Sequence, residues 1–271
     1  MNWKRLIRFL DDQEEVCIGD AAADSAQDLA SLLEAGTLTA NQLVGANIFD
    51  AKPTGKIVQV KSLLGPLTPG DVPIIRCVGL NYAKHIVKET GRTPPPHPSI
   101  FIKPSRKISL TMRAIVIGRE GKDIPAEDAL SYVAGYAVAN DVSARTWQRD
   151  PKFAGEVPQW CFSKGFDSFA PMGPVLVSPS VLGAAGDLTL QTKVNGEIRQ
   201  EANTSDLVFD VKKIIAFVSQ GTTLEKGSVI LTGTPGGVAL GMKPPKWLKD
   251  GDVVQVYISG IGTICNQMVF Q

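Results

Sequence analysis

Apolar positions follow two different periods along this chain. Between Asp24 and Ala35, and again between Thr39 and Phe49, they recur every three or four residues, the spacing of short amphipathic helices. Gly36 supplies a stop for the first helix and Thr39 an N-cap for the second. Trp3 to Leu10 reads as a strand. From residue 74 onward short apolar runs dominate, and Ile74 to Leu80, Ala114 to Ile117, Val133 to Val138, Val175 to Val177, Val229 to Thr232 and Val253 to Ile258 each predict a strand. Val194-Asn195-Gly196-Glu197 predicts a hairpin, because Asn-Gly suits a type I′ turn. Leu207 to Ser219 returns to helical spacing through Leu207, Val211, Ile214, Ile215 and Val218, and predicts a helix lying against the sheet. The turn formers of Leu67 to Pro73 suggest a hinge. The pattern therefore predicts a mostly β, α+β protein. A small α+β unit over residues 1–70 leads into a β-rich, roll-like domain over residues 71–271.

Composition narrows the function classes. The chain has 271 residues, 44% hydrophobic and 20% charged, the balance of a globule with a substantial core. Lys+Arg is 28 against Asp+Glu 27, a net charge of +1, without the basic excess of a nucleic-acid binder. An acidic ligand must be caught by local charge. Cys17, Cys77, Cys161 and Cys265 are widely spaced with no C-x-x-C pair, which argues for free thiols in a reducing compartment. Lys4, Arg5 and Arg8 are followed by Asp11, Asp12, Glu14 and Glu15, unlike a secretory signal or an acid-poor transit peptide. No run approaches the ~18 apolar residues of a membrane span. The expected location is cytoplasmic, with a small molecule rather than a nucleic acid or membrane as partner.

Four segments carry candidate chemistry. His85 has Glu89 four residues on. If the stretch is helical, the carboxylate shares its face and orients an imidazole base. Spacing alone favours the plainer reading, a surface i,i+4 pair. Asp141 follows the apolar run 133–138, where an acid serves as a metal ligand, as an anion-site partner or simply as a turn cap. Lys164 lies among Trp160, Cys161, Phe162 and Phe166. If buried it needs an anion, either Asp141 or a ligand carboxylate; otherwise it is a snorkelling lysine. Thr232-Gly233-Thr234-Pro235-Gly236-Gly237 reads as a backbone-rich ligand loop, but it lacks the Lys-Ser/Thr of a phosphate loop, which argues against nucleotides.

Taken in order, Gly79-Leu80-Asn81-Tyr82…His85, Asn140-Asp141-Val142-Ser143-Ala144-Arg145, Ser163-Lys164-Gly165-Phe166-Asp167, Val194-Asn195-Gly196-Glu197 and Thr232-Gly233-Thr234-Pro235 resemble the catalytic domain of the fumarylacetoacetate hydrolase superfamily. The resemblance implies a β-roll, usually dimeric enzyme acting on acylpyruvates and other 2-keto acids by C–C hydrolysis, decarboxylation or keto–enol tautomerisation. It also implies Mg2+ or Mn2+ held by three carboxylates. Carried over position by position, His85 corresponds to the water-activating base and Glu89 to its partner, one residue beyond the family's usual spacing. Asp141 corresponds to the third metal ligand. Tyr82, Arg145, Gln148 and Thr234 correspond to substrate contacts, and Lys164 to the cation that steadies enolate or carboxylate charge.

One departure matters. The family's first two metal ligands, counted back from Val116-Ile117-Gly118, fall here on Leu110 and Met112, neither of them a ligand for a hard cation. The segment from Lys103-Pro104 to that strand is also shorter than the family pattern. Three readings follow: a shortened form of an active C–C hydrolase, a metal-independent tautomerase-like or ring-forming enzyme using His85, Lys164 and Arg145, or a non-catalytic binding protein. The first is the main expectation, with weak metal binding.

Overall fold

The chain is described by a computed structural model covering residues 1–87, 91, 93–105 and 112–270, with the backbone alone at residues 26, 27 and 112. The strands are β1 (Arg5–Leu10), β2 (Val16–Ala21), β3 (Thr39–Val44), β4 (Lys52–Gln59), β5 (Ser62–Leu64), β6 (Ile75–Gly79), β7 (Ser99–Lys103), β8 (Met112–Ile117), β9 (Val133–Ala139), β10 (Met172–Val177), β11 (Thr189–Val194), β12 (Glu197–Asn203), β13 (Val229–Leu231), β14 (Val253–Ile258) and β15 (Gly262–Gln267). One large sheet runs β4-β3-β2-β1-β10-β9-β8-β13-β6-β7, with β5 also on β1, and a second runs β12-β11-β14-β15. The mostly β, α+β character expected from the sequence is what is seen.

The leading 70 residues share the large sheet with the rest, since β1 pairs antiparallel with β10 through Arg5↔Val177 and Leu6↔Leu176. The stretch expected to be a hinge is a short 3-10 turn, Pro69–Asp71. It is fastened by the Asp71 carboxylate, which accepts from the Thr68 backbone N–H at 2.7 Å and from its hydroxyl at 2.6 Å.

The first expected helix forms over Ala26–Glu34, with Ser25 as N-cap and Gly36 at φ +66° just beyond it. The second does not form. Thr39–Val44 is strand β3, and its register against β4 shifts between Asn41 and Leu43. The extra residues of that irregularity lie on β4, between Pro53 and Ile57, while β3 keeps an unbroken register with β2 from Ala40 to Leu43. Its buried positions Ala40 and Leu43 nonetheless fall three apart and imitate a helix. The Asn-Gly hairpin forms as expected, with Asn195 at φ +50° and Gly196 at φ +82° joining β11 to β12.

Two features position the site. All seven residues of β9 are buried, so this strand is fixed on both faces, and its end delivers Asn140 and Asp141. The helix Val211–Val218 lies under Asp210, whose side chain accepts from the Lys213 N–H. It buries Val211, Ile214, Ile215 and Val218, each worth roughly 1.5–3 kcal/mol of apolar transfer.

Candidate functional site

Three chain segments meet where β9 ends. Strand β7 alternates, with Ile100 and Ile102 exposed and Phe101 and Lys103 buried, so Lys103 is carried inward. The residues after β9 bring Asp141 and Ser143. The short helix Trp160–Lys164 brings Lys164, tied to the β9 segment by the Ala144 N–H to the Ser163 carbonyl at 2.9 Å. The helix lies close against β6: a Cβ at Gly79 would sit 2.5 Å from the Trp160 ring.

There the Asp141 carboxylate accepts from two ammoniums. Lys103 Nζ donates to Oδ1 at 2.6 Å and Lys164 Nζ to Oδ2 at 2.5 Å, with the Asp141 side chain only 4% exposed. Lys103 also donates to the Val142 carbonyl at 3.1 Å, and Lys164 to the Ser143 hydroxyl at 2.5 Å. The Lys164 ammonium stands 4.8 Å from the Phe101 ring centroid. Burial alone pushes the Asp141 carboxyl up, but the two lysines outweigh it and hold the group below the usual carboxylate range. Burial pushes the Lys164 ammonium down, against the pull of Asp141. Arg145, half-buried and also lowered by burial, donates to the Gln148 Oε1, while the buried Gln148 Nε2 has no partner among the described residues.

A second node is built on Asn81. Its amide donates to the Phe209 carbonyl at 3.0 Å and the Thr232 carbonyl at 2.7 Å, and its oxygen accepts from the Phe209 N–H at 2.8 Å. This locks the start of the ligand loop to the segment carrying Tyr82 and His85. Gly233, at φ +112°, lies so close to Asn81 that an added Cβ would come within 2.8 Å of its side chain. Tyr82 is fully buried, and its hydroxyl has no partner among the described residues. His85 closes the short helix Ala83–His85, half-buried, and the chain continues into a π-type turn at Ile86 and Val87. In a third node Thr234 accepts from the Gln200 amide at 3.0 Å, and the same amide reaches the Pro235 carbonyl at 3.0 Å.

Of the residues singled out by sequence, Asp141, Lys164, Arg145 and Gln148 are thus brought together. Tyr82 and His85 ride on the Asn81 node, and Thr234 belongs to the Gln200 node. Glu89 and Leu110 lie outside the described residues, and Met112 is described only by its backbone pairing with Ala139. Sequence reasoning missed Lys103 and Ser143. The signal for Lys103 was the alternation in Ser99-Ile100-Phe101-Ile102-Lys103, which puts the lysine on the face of Phe101.

The three-carboxylate metal set does not fit this chain. Asp141 has both oxygens committed to ammoniums, and the positions that the family resemblance assigns to the other two ligands carry a leucine and a methionine in the sequence. Among the described residues no group of three His, Cys, Asp or Glu is placed to hold an ion.

The family model described as fumarylacetoacetate (FAA) hydrolase C-terminal matches residues 74–269. The chain belongs to the fumarylacetoacetate hydrolase family. Among curated relatives, the mitochondrial oxaloacetate tautomerase of Rattus norvegicus is 42% identical over 225 residues, covering 77% of this chain and 69% of the relative. Among solved structures, the 2-hydroxyhepta-2,4-diene-1,7-dioate isomerase of Mycobacterium marinum superposes with TM-score 0.75 at 32% identity, over 98% of both chains. The fumarylpyruvate hydrolase of Pseudomonas aeruginosa, solved with Mn2+ and pyruvate, gives TM-score 0.63 at 29% identity, over 74% of this chain and 91% of that one. Members of the family thus bind Mn2+. No described helix is long and apolar enough to cross a membrane.

Proposed function

We propose that this family member interconverts the keto and enol forms of a dicarboxylic 2-keto acid such as oxaloacetate. The observation that carries the reading is the cationic cluster of Lys103, Lys164 and Arg145 around a single carboxylate. It is supported by the 42% identity to an oxaloacetate tautomerase. The reaction moves one proton and adds no water. A base takes a proton from the carbon next to the keto group, negative charge gathers on the keto oxygen, and that oxygen is then protonated. His85 is the proposed base, with Glu89 as its orienting partner. Lys164 is the cation for the developing enolate. Arg145 and Gln148 hold a substrate carboxylate, and Tyr82 and Thr234 complete the contacts. A preorganised cation in a water-poor site is the kind of stabilisation an enolate needs.

C–C hydrolysis, the main expectation from the sequence, asks more of the site. Water must be activated and a carbonyl polarised, and Leu110 and Met112 offer no oxygen to a metal that would do the polarising. The test follows the enol absorbance of oxaloacetate with and without protein, beside an acylpyruvate cleavage assay. Accelerated enol decay without cleavage is expected, and His85→Ala should slow it about 10²–10⁴-fold. Cleavage of acylpyruvates with no effect on enol decay would replace this reading by the hydrolase. A homodimer is proposed as well, and light scattering checks it. The cytoplasmic location expected from the sequence stands against the mitochondrial name of the rat relative, and imaging of the tagged chain decides between them.

A further inference from the structure

The site has the charge of an anion trap where the family pattern calls for a cation trap. Three cations, Lys103, Lys164 and Arg145, face one carboxylate, Asp141, among the described residues. An ammonium has three N–H donors. Lys103 spends two on Asp141 and Val142, and Lys164 spends two on Asp141 and Ser143. One donor of each remains without a partner among the described residues. The buried Gln148 Nε2 is likewise unmatched. The surplus is two positive charges plus several orphan N–H groups, which is what a dianion with carboxylate oxygens would complete. Half-buried Arg145 gives the cluster its contact with solvent.

We propose that this chain binds its acidic substrate without a metal, through a clamp of Lys103, Lys164 and Arg145 in which Asp141 is an internal counter-anion that fixes the two ammoniums. The proposal rests on the keto-acid reading above and deepens it. Asp141 is converted from a metal ligand into a positioning residue, and Lys103 becomes a direct substrate contact. A divalent cation would have to displace two ammoniums to reach the Asp141 oxygens, and would then find one carboxylate where hard cations take several oxygens. Leu110 and Met112, which the resemblance aligns with the other two ligands, carry no side-chain oxygen.

Calorimetry with oxalate, a planar dianion resembling a keto-acid enolate, tests the clamp. In EDTA the protein is expected to bind oxalate, Mg2+ or Mn2+ alone to give no binding heat, and added metal not to tighten oxalate. Arg145→Leu, which breaks no carboxylate pair, should weaken oxalate at least tenfold. Asp141→Asn gives the sharper sign: in a clamp it removes a competing anion, so oxalate affinity holds or rises, whereas in a metal site it abolishes binding. If Asp141→Asn does not fold, the Arg145→Leu and metal arms decide. Oxalate binding that requires metal, or tight metal binding alone, would overturn the proposal. Oxalate binding in EDTA by a protein that leaves oxaloacetate enol untouched would sink the tautomerase reading and keep the clamp. Strictly metal-dependent enol turnover would do the reverse.

Discussion

Two buried charged regions lie on neighbouring strands, and the chain treats them differently. At the end of β9, the Asp141 carboxylate is matched by two lysines at 2.6 and 2.5 Å, each with a second acceptor. On β8, paired across from Val138, Arg113 is 1% exposed, and among the described residues no carboxylate is hydrogen-bonded to it. Its Nη1 donates to the Ala185 carbonyl, its guanidinium lies 5.9 Å from the Tyr136 ring centroid, and its Nε and Nη2 have no partner among the described residues. Burial holds Arg113 below the usual arginine range. Burying a charge is tolerable when an opposite charge is buried with it, and costly otherwise. Arg113 follows directly on Met112, one of the two positions where the resemblance expects a metal ligand.

The largest effect should come from unmatching the matched region. Asp141→Ala leaves two buried ammoniums without a counter-charge, and about 3–5 kcal/mol of stability should be lost in urea melts. A loss under 1 kcal/mol would mean water already reaches the cluster and the contrast with Arg113 is unreal. Next comes Arg113→Met, which removes an unpaired buried charge at similar volume. Stability should rise by roughly 1–4 kcal/mol, read as a higher melting temperature. A fall would show that Nε and Nη2 have partners beyond the described residues. Smaller again is Gly79→Ala, whose Cβ would meet the Trp160 ring at 2.5 Å. Overpacking should cost about 1–3 kcal/mol. Because Trp160 opens the helix carrying Lys164, oxalate affinity should fall with stability, while Arg113→Met should leave that affinity alone.

How much of this was legible depends on how local each cause is. The Asn195-Gly196 turn and the Val211–Val218 helix were readable because the pattern and the structure obey the same short-range rule. Strand β3 was misread because its two buried positions, Ala40 and Leu43, lie three apart, and what makes the segment extended is its pairing with β2 and β4. The pairing of Asp141 with Lys164 was one of the alternatives the sequence left open. Its second partner, Lys103, lies 38 residues earlier, and no spacing rule connects them. Arg113 was passed over inside an apolar run, because a single charge between apolar neighbours normally faces water and here β8 has buried faces on both sides. His85 was read as sharing a face with Glu89 if the stretch is helical. The helix does begin at Ala83, but Glu89 lies outside the described residues, so that pairing stays a proposal.

The smallest expected effect is the most discriminating for the Arg113 side of the comparison. Tyr82 is fully buried, its hydroxyl is unpartnered among the described residues, and burial pushes its phenol up to about 12, so it stays protonated under any working condition. Removing an unsatisfied buried hydroxyl costs nothing in hydrogen bonds, so Tyr82→Phe should leave stability unchanged or raise it by up to about 1 kcal/mol. If the hydroxyl instead waits for substrate, as the family resemblance implies, the same change should raise KM for enol turnover while the melting temperature holds. The two readouts separate a binding role from a packing role. A stability loss above 1 kcal/mol would place a hydrogen-bond partner for Tyr82 outside the described residues, and the region around Arg113 would then be better satisfied than its own atoms suggest.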